Sequence, residues 1–424
     1  MYFITNSLLS YIYNCNILDS ENKYNKSTKV INLCNEENNG FLMEDIPQEE
    51  ILELLKAMVN IDSINPPGKE MPMVDLVYKY MVDAGLEVEK VYVAPERYDV
   101  IAKLKGKNPE GIIFTGHMDV VPVSDDEIRR WRTDPFSATV IDDYLYGRGS
   151  SDMKSGLCAA MVAMKYLKEK NIVPSRDIYL VATIDEEDFM QGSKALAGSH
   201  LIEGARSVVV CEPTNLEVCT GSRGRTYGNI FIKGHTGHGS QYGIANNAIF
   251  LAHQIVEEML KRDFEKFRNK DYGKSFWQPL AINAGVEPCV VPDKCTMKID
   301  ARLVPGHMPT DIWKEMDEII ENIKKTFQGF NASIEVIDRR EPWMTNKDAN
   351  IIKNVKSSLK KCNLDFKETI FSGTTDGTIL RRENRDVIII GPGDLTCVHK
   401  ENEKVLIPQV YEAFNLYRHM MVEN

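Results

Sequence analysis

The sequence predicts an α/β protein, a mixed sheet flanked by helices, into which a smaller α+β unit of ferredoxin-like order is inserted. Three observations carry this. Apolar strand-like runs alternate with helical patterns from about residue 87 to 211, the rhythm that puts helices on both faces of a sheet. Between 226 and 337 the order becomes strand, helix, strand, strand, helix, strand, which is the ferredoxin-like unit. From 348 onward the first rhythm resumes, so the smaller unit interrupts the larger one.

Ile51, Leu52, Leu54, Leu55, Met58 and Val59 recur at helical spacing behind Pro47, which is placed to open a helix. Asn65-Pro66-Pro67-Gly68 breaks the pattern, and a second helix over about 71–84 ends at Gly85. Strands follow near 87–93 and 98–104, and the run Gly111 to Gly116 reads as a buried strand. A helix near 155–170, a strand at 177–184, a short helix near 192–199 and a strand at 207–211 complete the first stretch. In the inserted unit, strands are expected at 226–234, 280–286, 295–303 and 331–337, with helices at 244–262 and 309–326. A helix at 348–361, a strand at 386–390 and a closing helix from about 404 end the chain.

With 424 residues, 43% of them hydrophobic and 27% charged, the chain has an ordinary globular composition and length for two domains. Its formal net charge of −11 argues against a nucleic-acid surface and against an anionic membrane as partner. No apolar stretch approaches the roughly 20 residues that a spanning helix needs. Nine scattered cysteines, an odd total without a CxxC pair, point to a reducing cytoplasm rather than a disulfide framework. Residues 1–42 are rich in Asn, and their one apolar patch, Leu8 to Tyr13, has no basic segment before it. That makes a poor signal peptide; the segment reads as a disordered extension or an over-extended start.

Polar ligating groups stand at the ends of the apolar strands, where α/β proteins place their sites. In Thr115-Gly-His117-Met-Asp119, residues two apart face the same way in extended chain, which suits a metal-binding His with a supporting carboxylate. Tyr146-Gly-Arg-Gly-Ser-Ser-Asp152-Met-Lys-Ser-Gly156 is a glycine-rich turn presenting one carboxylate before a helix. Thr183-Ile-Asp185-Glu186-Glu187-Asp188 places four acids directly after an apolar run, Glu212 ends the run from Val208, and His399 follows the strand Val387 to Ile390. Taken singly, each has an ordinary reading as a capped turn or a solvated face. Together, in this order, the five are not ambiguous.

The order resembles the metallohydrolase family of acetylornithine deacetylase, succinyl-diaminopimelate desuccinylase, aminoacylase and the glutamate carboxypeptidases. The segments GHMDVVPV, YGRGSSDMKSG, TIDEED, EPTNLEV, GHTGHGS and GPG followed by His399 carry the likeness, from about Met43 to the C-terminus. The resemblance implies a zinc-peptidase-like catalytic domain over 43–224 and 338–424, with an inserted dimerisation or lid domain over 225–337. It implies one metal held by His117, Asp152 and Glu212 and another by Asp152, Glu187 and His399, with Asp152 bridging. Asp119 would orient His117, and Glu186 would be the general base toward a metal-bound hydroxide. His238 would supply the oxyanion donor, often across a dimer, and Arg302 would hold the substrate carboxylate, a task suited to guanidinium. Gly373 and Thr374, in Ser372-Gly-Thr-Thr-Asp-Gly377, match a loop that contacts substrate.

Nitrogen and carboxylate ligands without thiolate suit two divalent ions, zinc first, with cobalt or manganese as alternatives. The implied reaction is hydrolysis of an amide in a small N-acyl amino acid, by a cytoplasmic homodimer. Glu212 rather than Asp resembles the deacylase branch more than the peptidase branch, so a dipeptidase or carboxypeptidase is the alternative. One departure bears on substrate: Cys289 stands where many relatives carry Asn, and a thiol cannot reproduce an amide's donors and acceptor. A catalytically inactive metal-binding or regulatory scaffold would be expected to lose the base or a ligand, and Glu186 and all five ligands are present.

Overall fold

The first helices form where the sequence places them, Gln48–Val59 and Met71–Asp83, the latter with Pro72 in its first turn, where a missing N–H costs nothing. The computed structural model describes residues 46–240, 246–285, 289–327, 329–382 and 384–423; the extension expected over 1–42 lies outside them. After the two helices come β1 (Glu87–Ala94), β2 (Arg97–Leu104) and β3 (Gly111–His117). Two short strands follow, β4 (Thr139–Ile141) and β5 (Tyr144–Tyr146), then the buried helix Ser155–Glu169, β6 (Ile178–Thr183), β7 (Ala205–Val210) and β8 (Val218–Ser222).

The inserted unit contains β9 (Gly224–Lys233), a helix Ala248–Leu260, β10 (Phe276–Ala284), β11 (Lys294–Leu303), a helix Pro309–Thr326 and β12 (Asn331–Arg340). Then follow β13 (Trp343–Met344), the helix Asn350–Lys361, β14 (Glu368–Phe371), β15 (Asp386–Ile389), β16 (Lys404–Leu406) and the helix Ile407–Val422. The large sheet runs β1-β2-β6-β3-β7-β15-β8-β13, with β14 also on β8. Its centre, β6-β3-β7-β15, is parallel. These strands are almost continuously apolar because helices cover both faces.

All four central strands therefore end at one edge of the sheet, the usual location of an α/β site. The helix Ser155–Glu169 approaches that edge so closely that a Cβ on Gly156 would lie 1.8 Å from the carbonyl oxygen of Cys211, so only glycine fits there.

The smaller sheet has the order β10-β11-β9-β12, antiparallel throughout. Ile312, Trp313, Met316, Ile319, Ile320 and Ile323 are the helical stripe that buries the second helix on one face of that sheet. Among the described residues no helix of this unit covers the other face, which exposes Phe231 and Phe276 beside its polar side chains. Both sheets lie in one compact unit, Ile46–Asn424.

The structure alters several sequence expectations. The closing helix starts at Ile407, not near 404, because 404–406 pair with β5 as β16 and Pro408 fits only the helix's first turn. The helix expected at 192–199 is Gln191–Leu196, ended by extended Ala197 and by Gly198 at φ 78°. β8, β13 and β14 were not expected; they are two to five residues long and lack a clear alternation.

Candidate active site

Each parallel strand leads into a segment that delivers a polar group at or beyond its C-terminal end. His117 is the last residue of β3, Glu186 and Glu187 follow β6, Glu212 follows β7, and His399 follows β15. Asp152 comes from the buried turn before the helix Ser155–Glu169. The ligand atoms of His117, Asp152 and Glu212 lie within 4.8 Å of one another, and so do those of Asp152, Glu187 and His399. Asp152 is shared. Its Oδ1 faces His117 Nε2 at 3.1 Å and its Oδ2 faces His399 Nε2 at 3.2 Å. His399 Nε2 lies 3.0 Å from Glu187 Oε2, and His117 Nε2 lies 3.8 Å from Glu212 Oε1.

The surroundings aim these groups. His117 Nδ1 donates to the carbonyl oxygen of Asp119 at 2.9 Å, which turns Nε2 toward Asp152 and Glu212. The Asp119 carboxylate is farther from Nδ1, at 3.6 Å. It accepts instead the backbone N–H groups of Glu186 and Glu187. Asp185 precedes them at φ 67°, a left-handed turn that its own carboxylate braces by accepting Phe189 N–H and Gln191 N–H. Asn65 Nδ2 donates to both Asp119 (3.1 Å) and Asp185 (3.0 Å), and Arg97 ties Asp185 to Glu70.

On the other side Glu403 Oε1 accepts the backbone N–H groups of Ser151 and Asp152, while its Oε2 pairs with Arg148 at 2.7 Å. Arg148 also binds the Lys400 carbonyl, next to His399. One buried ion pair thus fixes both the bridging acid and the loop of a His ligand. None of Asn65, Arg97, Arg148 and Glu403 is singled out by sequence reasoning. Asn65-Pro-Pro-Gly reads there only as a breaker, and the nearness of Glu403 to His399 was the one available signal.

A donor set this acidic calls for cations. Burial pushes Glu212 and Glu186 well above the usual carboxylate range, with Asp152 adding to it at Glu212 and His117 opposing it at Glu186. Burial and the Asp152 charge also raise Glu187. Asp152 goes the other way: burial opposes its charge, but His117 and His399 hold it down. His399 is pushed up to about 11, its burial outweighed by Asp152 and Glu187. The two histidines here stand in for the positive charge that cations would bring. Nitrogen and oxygen donors in two triads with a shared carboxylate fit a pair of divalent ions. Glu186 Oε1 is buried without a hydrogen-bond partner among the described residues, so a lone pair is free to take a proton.

Of the remaining expected residues, Arg302 lies on the smaller sheet, Thr374 bonds to it, and Gly373 lies against β8 of the large sheet. Arg302 donates from Nε to Asp300 at 2.9 Å. Thr374 Oγ1 accepts from Arg340 Nη1 at 3.2 Å, and the Gly373 carbonyl accepts from Ser222 at 2.7 Å. His238 is exposed, its Nδ1 2.8 Å from Ser240 Oγ, and its backbone bridges Val290 beside Cys289. The side-chain contact of His238 is thus with Ser240, in the same loop.

Among the described residues no helix is long and apolar enough to cross a membrane. The model of peptidase family M20/M25/M40 matches residues 113–423. A succinyl-diaminopimelate desuccinylase of Shewanella pealeana is 28% identical over 389 residues, covering 88% of this chain and 98% of that protein. Among solved structures, the aminopeptidase PepT of Bacillus cereus superposes with a TM-score of 0.73 at 20% identity, over 89% of this chain and 98% of that one. A dinuclear metal-binding peptidase of Bacillus subtilis superposes with a TM-score of 0.67 at 12% identity, over 88% and 97%.

Proposed function

The chain belongs to peptidase family M20/M25/M40, and from that premise we propose that it hydrolyses the amide bond of a small N-acyl amino acid with two zinc ions. The observation that carries the reading is the pair of ligand triads joined through Asp152. Nitrogen and carboxylate donors without thiolate favour zinc over softer ions, and cobalt or manganese would fit the same set. The dinuclear relative and the desuccinylase support the metal count and the substrate class respectively.

His117, Asp152 and Glu212 would hold one ion, and Asp152, Glu187 and His399 the other. When bound, the ions supply Lewis acidity toward the scissile carbonyl and toward water. Glu186 takes the proton of the attacking water at Oε1 and returns it to the leaving amine; the elevated affinity of this buried carboxylate for protons suits both steps. Asp119 keeps Glu186 and Glu187 in place through their backbone N–H groups. Asp152 holds the two ligand sets together, one oxygen to each.

A homodimer formed through the smaller sheet is part of the proposal. β10 is an edge strand on which Phe276, Leu280 and Ile282 are 43, 52 and 49% exposed, an apolar edge of the kind that pairs with another chain. His238, exposed on this unit, would then serve the partner's site as oxyanion donor. The described cysteines are free thiols, which agrees with a cytoplasmic setting.

The test is amine release by the metal-reconstituted chain from N-acetyl and N-succinyl amino acids and from dipeptides, with Glu186→Ala and chelator as controls. Turnover of acyl amino acids that both controls abolish supports the proposal. Turnover of dipeptides alone would move the enzyme to the peptidase branch. Turnover that survives in Glu186→Ala would remove Glu186 from its role.

A further inference from the structure

The chain crosses between the two sheets twice, through residues 222–224 from β8 to β9 and through residues 340–343 from β12 to β13. Tyr272, from the loop before β10, is fastened to both crossings. Its hydroxyl donates to the Trp343 carbonyl at 3.2 Å, and its own carbonyl accepts from Arg223. A Cβ on Gly221 would lie 1.7 Å from the Tyr272 hydroxyl oxygen, so glycine at that position is what admits the ring. The turn that carries Tyr272 is closed. Asn269 N–H donates to the Gly273 carbonyl at 2.7 Å, and Asn269 Oδ1 accepts the N–H groups of Asp271 and Tyr272. Lys270 and Asp271 are therefore presented from a braced tip.

Beside Tyr272 opens a cavity of about 550 Å³ with walls from both units, an ordinary volume for a small-molecule site. The smaller unit contributes Lys270 and Asp271 to it, and the large sheet's side contributes Thr220, Lys347 and Glu368. None of these is a metal ligand or the base. Among the described residues the side chains of Lys270 and Asp271 have no hydrogen-bond or ion-pair partner. Lys347 Nζ stands 3.6 Å from Glu368 Oε2, beyond a good hydrogen bond, and Glu368 Oε1 accepts from Thr220 Oγ1 at 3.0 Å. One cavity thus holds two cations and two carboxylates with bonding capacity to spare. A simple anion would meet Asp271 and Glu368, and a simple cation would meet Lys270 and Lys347. A molecule that bears both charges finds an opposite charge for each. Met344, 52% exposed, and the half-buried Ile370 add an apolar wall for a side chain.

We propose that this cavity is a second site, apart from the metal-ligand set, for a free α-amino acid with an apolar side chain. Lys270 and Lys347 hold its carboxylate, and Asp271 and Glu368 hold its ammonium. Bound there, the amino acid joins the smaller unit to the large sheet beside both crossings, restrains the orientation of one to the other and lowers kcat. A free amino acid is what hydrolysis of an N-acyl amino acid releases, so this feedback rests on the amidohydrolase reading. The binding does not.

The experiment is calorimetric titration of the metal-loaded chain with leucine, with isopentylamine, which lacks the carboxylate, and with 4-methylpentanoate, which lacks the ammonium. Wild type is compared with Lys270→Gln and Glu368→Gln, after melting curves show that all three fold alike. Leucine is expected to bind wild type and to bind each variant about 10-fold or more weakly. Neither analogue shows binding that the substitutions remove. No binding of leucine by wild type at about 10 mM would overturn the site. So would binding that neither substitution weakens, which would place leucine at the metals, and so would an analogue that depends on Lys270 or Glu368 as leucine does. In turnover of an N-acetyl amino acid, leucine lowers kcat of wild type and leaves kcat of Lys270→Gln unchanged. An effect on KM alone, or one equal in both proteins, would overturn the feedback. Should no N-acyl amino acid be turned over, the amidohydrolase reading fails on its own, and the calorimetry still decides the site.

Discussion

Asp119 holds Glu187 by its backbone: carboxylate Oδ2 accepts the Glu187 N–H at 3.1 Å, while Oδ1 accepts that of Glu186 at 3.2 Å. Asn65 Nδ2 also donates to Oδ2. Every partner of this carboxylate is a donor, so an amide in its place would set N–H against N–H. Asp119→Asn is therefore expected to do nearly as much harm as Asp119→Ala, about 10- to 100-fold in metal affinity or turnover. Calorimetric metal titration of both variants checks this. Wild-type affinity in Asp119→Asn would show that the backbone clamp is dispensable.

Removing the metals should cost stability as well as activity. Asp152 and Glu212 are buried, with Glu187 partly buried close by, and without cations their charge is met by two histidines. A ligand present at a hundredfold excess over its Kd stabilises the fold by about 2.7 kcal/mol. The chelated chain is expected to melt several degrees lower, at about 2–4 °C per kcal/mol for a sizeable domain, with recovery on adding zinc. Identical melting curves with and without chelator would contradict the assigned ligand set.

Glu403 is the point where the bridging acid and a His ligand loop are tied together. Truncation in Glu403→Ala leaves the buried Arg148 short of one partner and the N–H groups of Ser151 and Asp152 short of theirs. The expected loss is about 3–5 kcal/mol of stability, with weaker metal binding. Denaturant unfolding measures the first and metal titration the second. A variant with wild-type values for both would reduce this ion pair to a bystander.

How legible the site was depends on how far each residue's role reaches. His117, Glu187, Glu212 and His399 each follow an apolar strand run closely in sequence, so their position at a sheet edge could be read from pattern. Asp152 showed itself through the glycines around it. Glu403 acts on Asp152 across 251 positions of sequence, and Asn65 acts on Asp185 across 120. No local pattern carries such partnerships; only the closed sheet brings them together. The neighbours of Arg302 are a matter of register, since Arg225, Arg302 and Arg340 come together through strand pairing alone. The ferredoxin-like order was legible because its helices are amphipathic and long, whereas β13 and β14 were too short to show a period.

His307 gives the smaller unit a pH dependence of its own. The side chain is fully buried, its ring stacked on Phe267 with centroids 3.7 Å apart and tilted against Phe264 at 5.0 Å. Neither ring nitrogen has a hydrogen-bond partner among the described residues. Burial lowers its pKa from 6.5 to about 4; Asp311 and Glu315 oppose the shift and Lys266 adds to it. Between those two values the unfolded chain binds more protons than the folded one. The contribution to stability is therefore complete above pH 6.5 and is lost as the pH falls through about 4. Phe fills a similar volume and cannot titrate, so His307→Phe should lose less melting temperature than wild type between pH 7 and pH about 5. Carboxylates that titrate over the same range are common to both proteins and drop out of the difference. Parallel melting profiles would mean that His307 is charged, or solvated, in the folded chain, and the stacked, neutral ring would have to be given up.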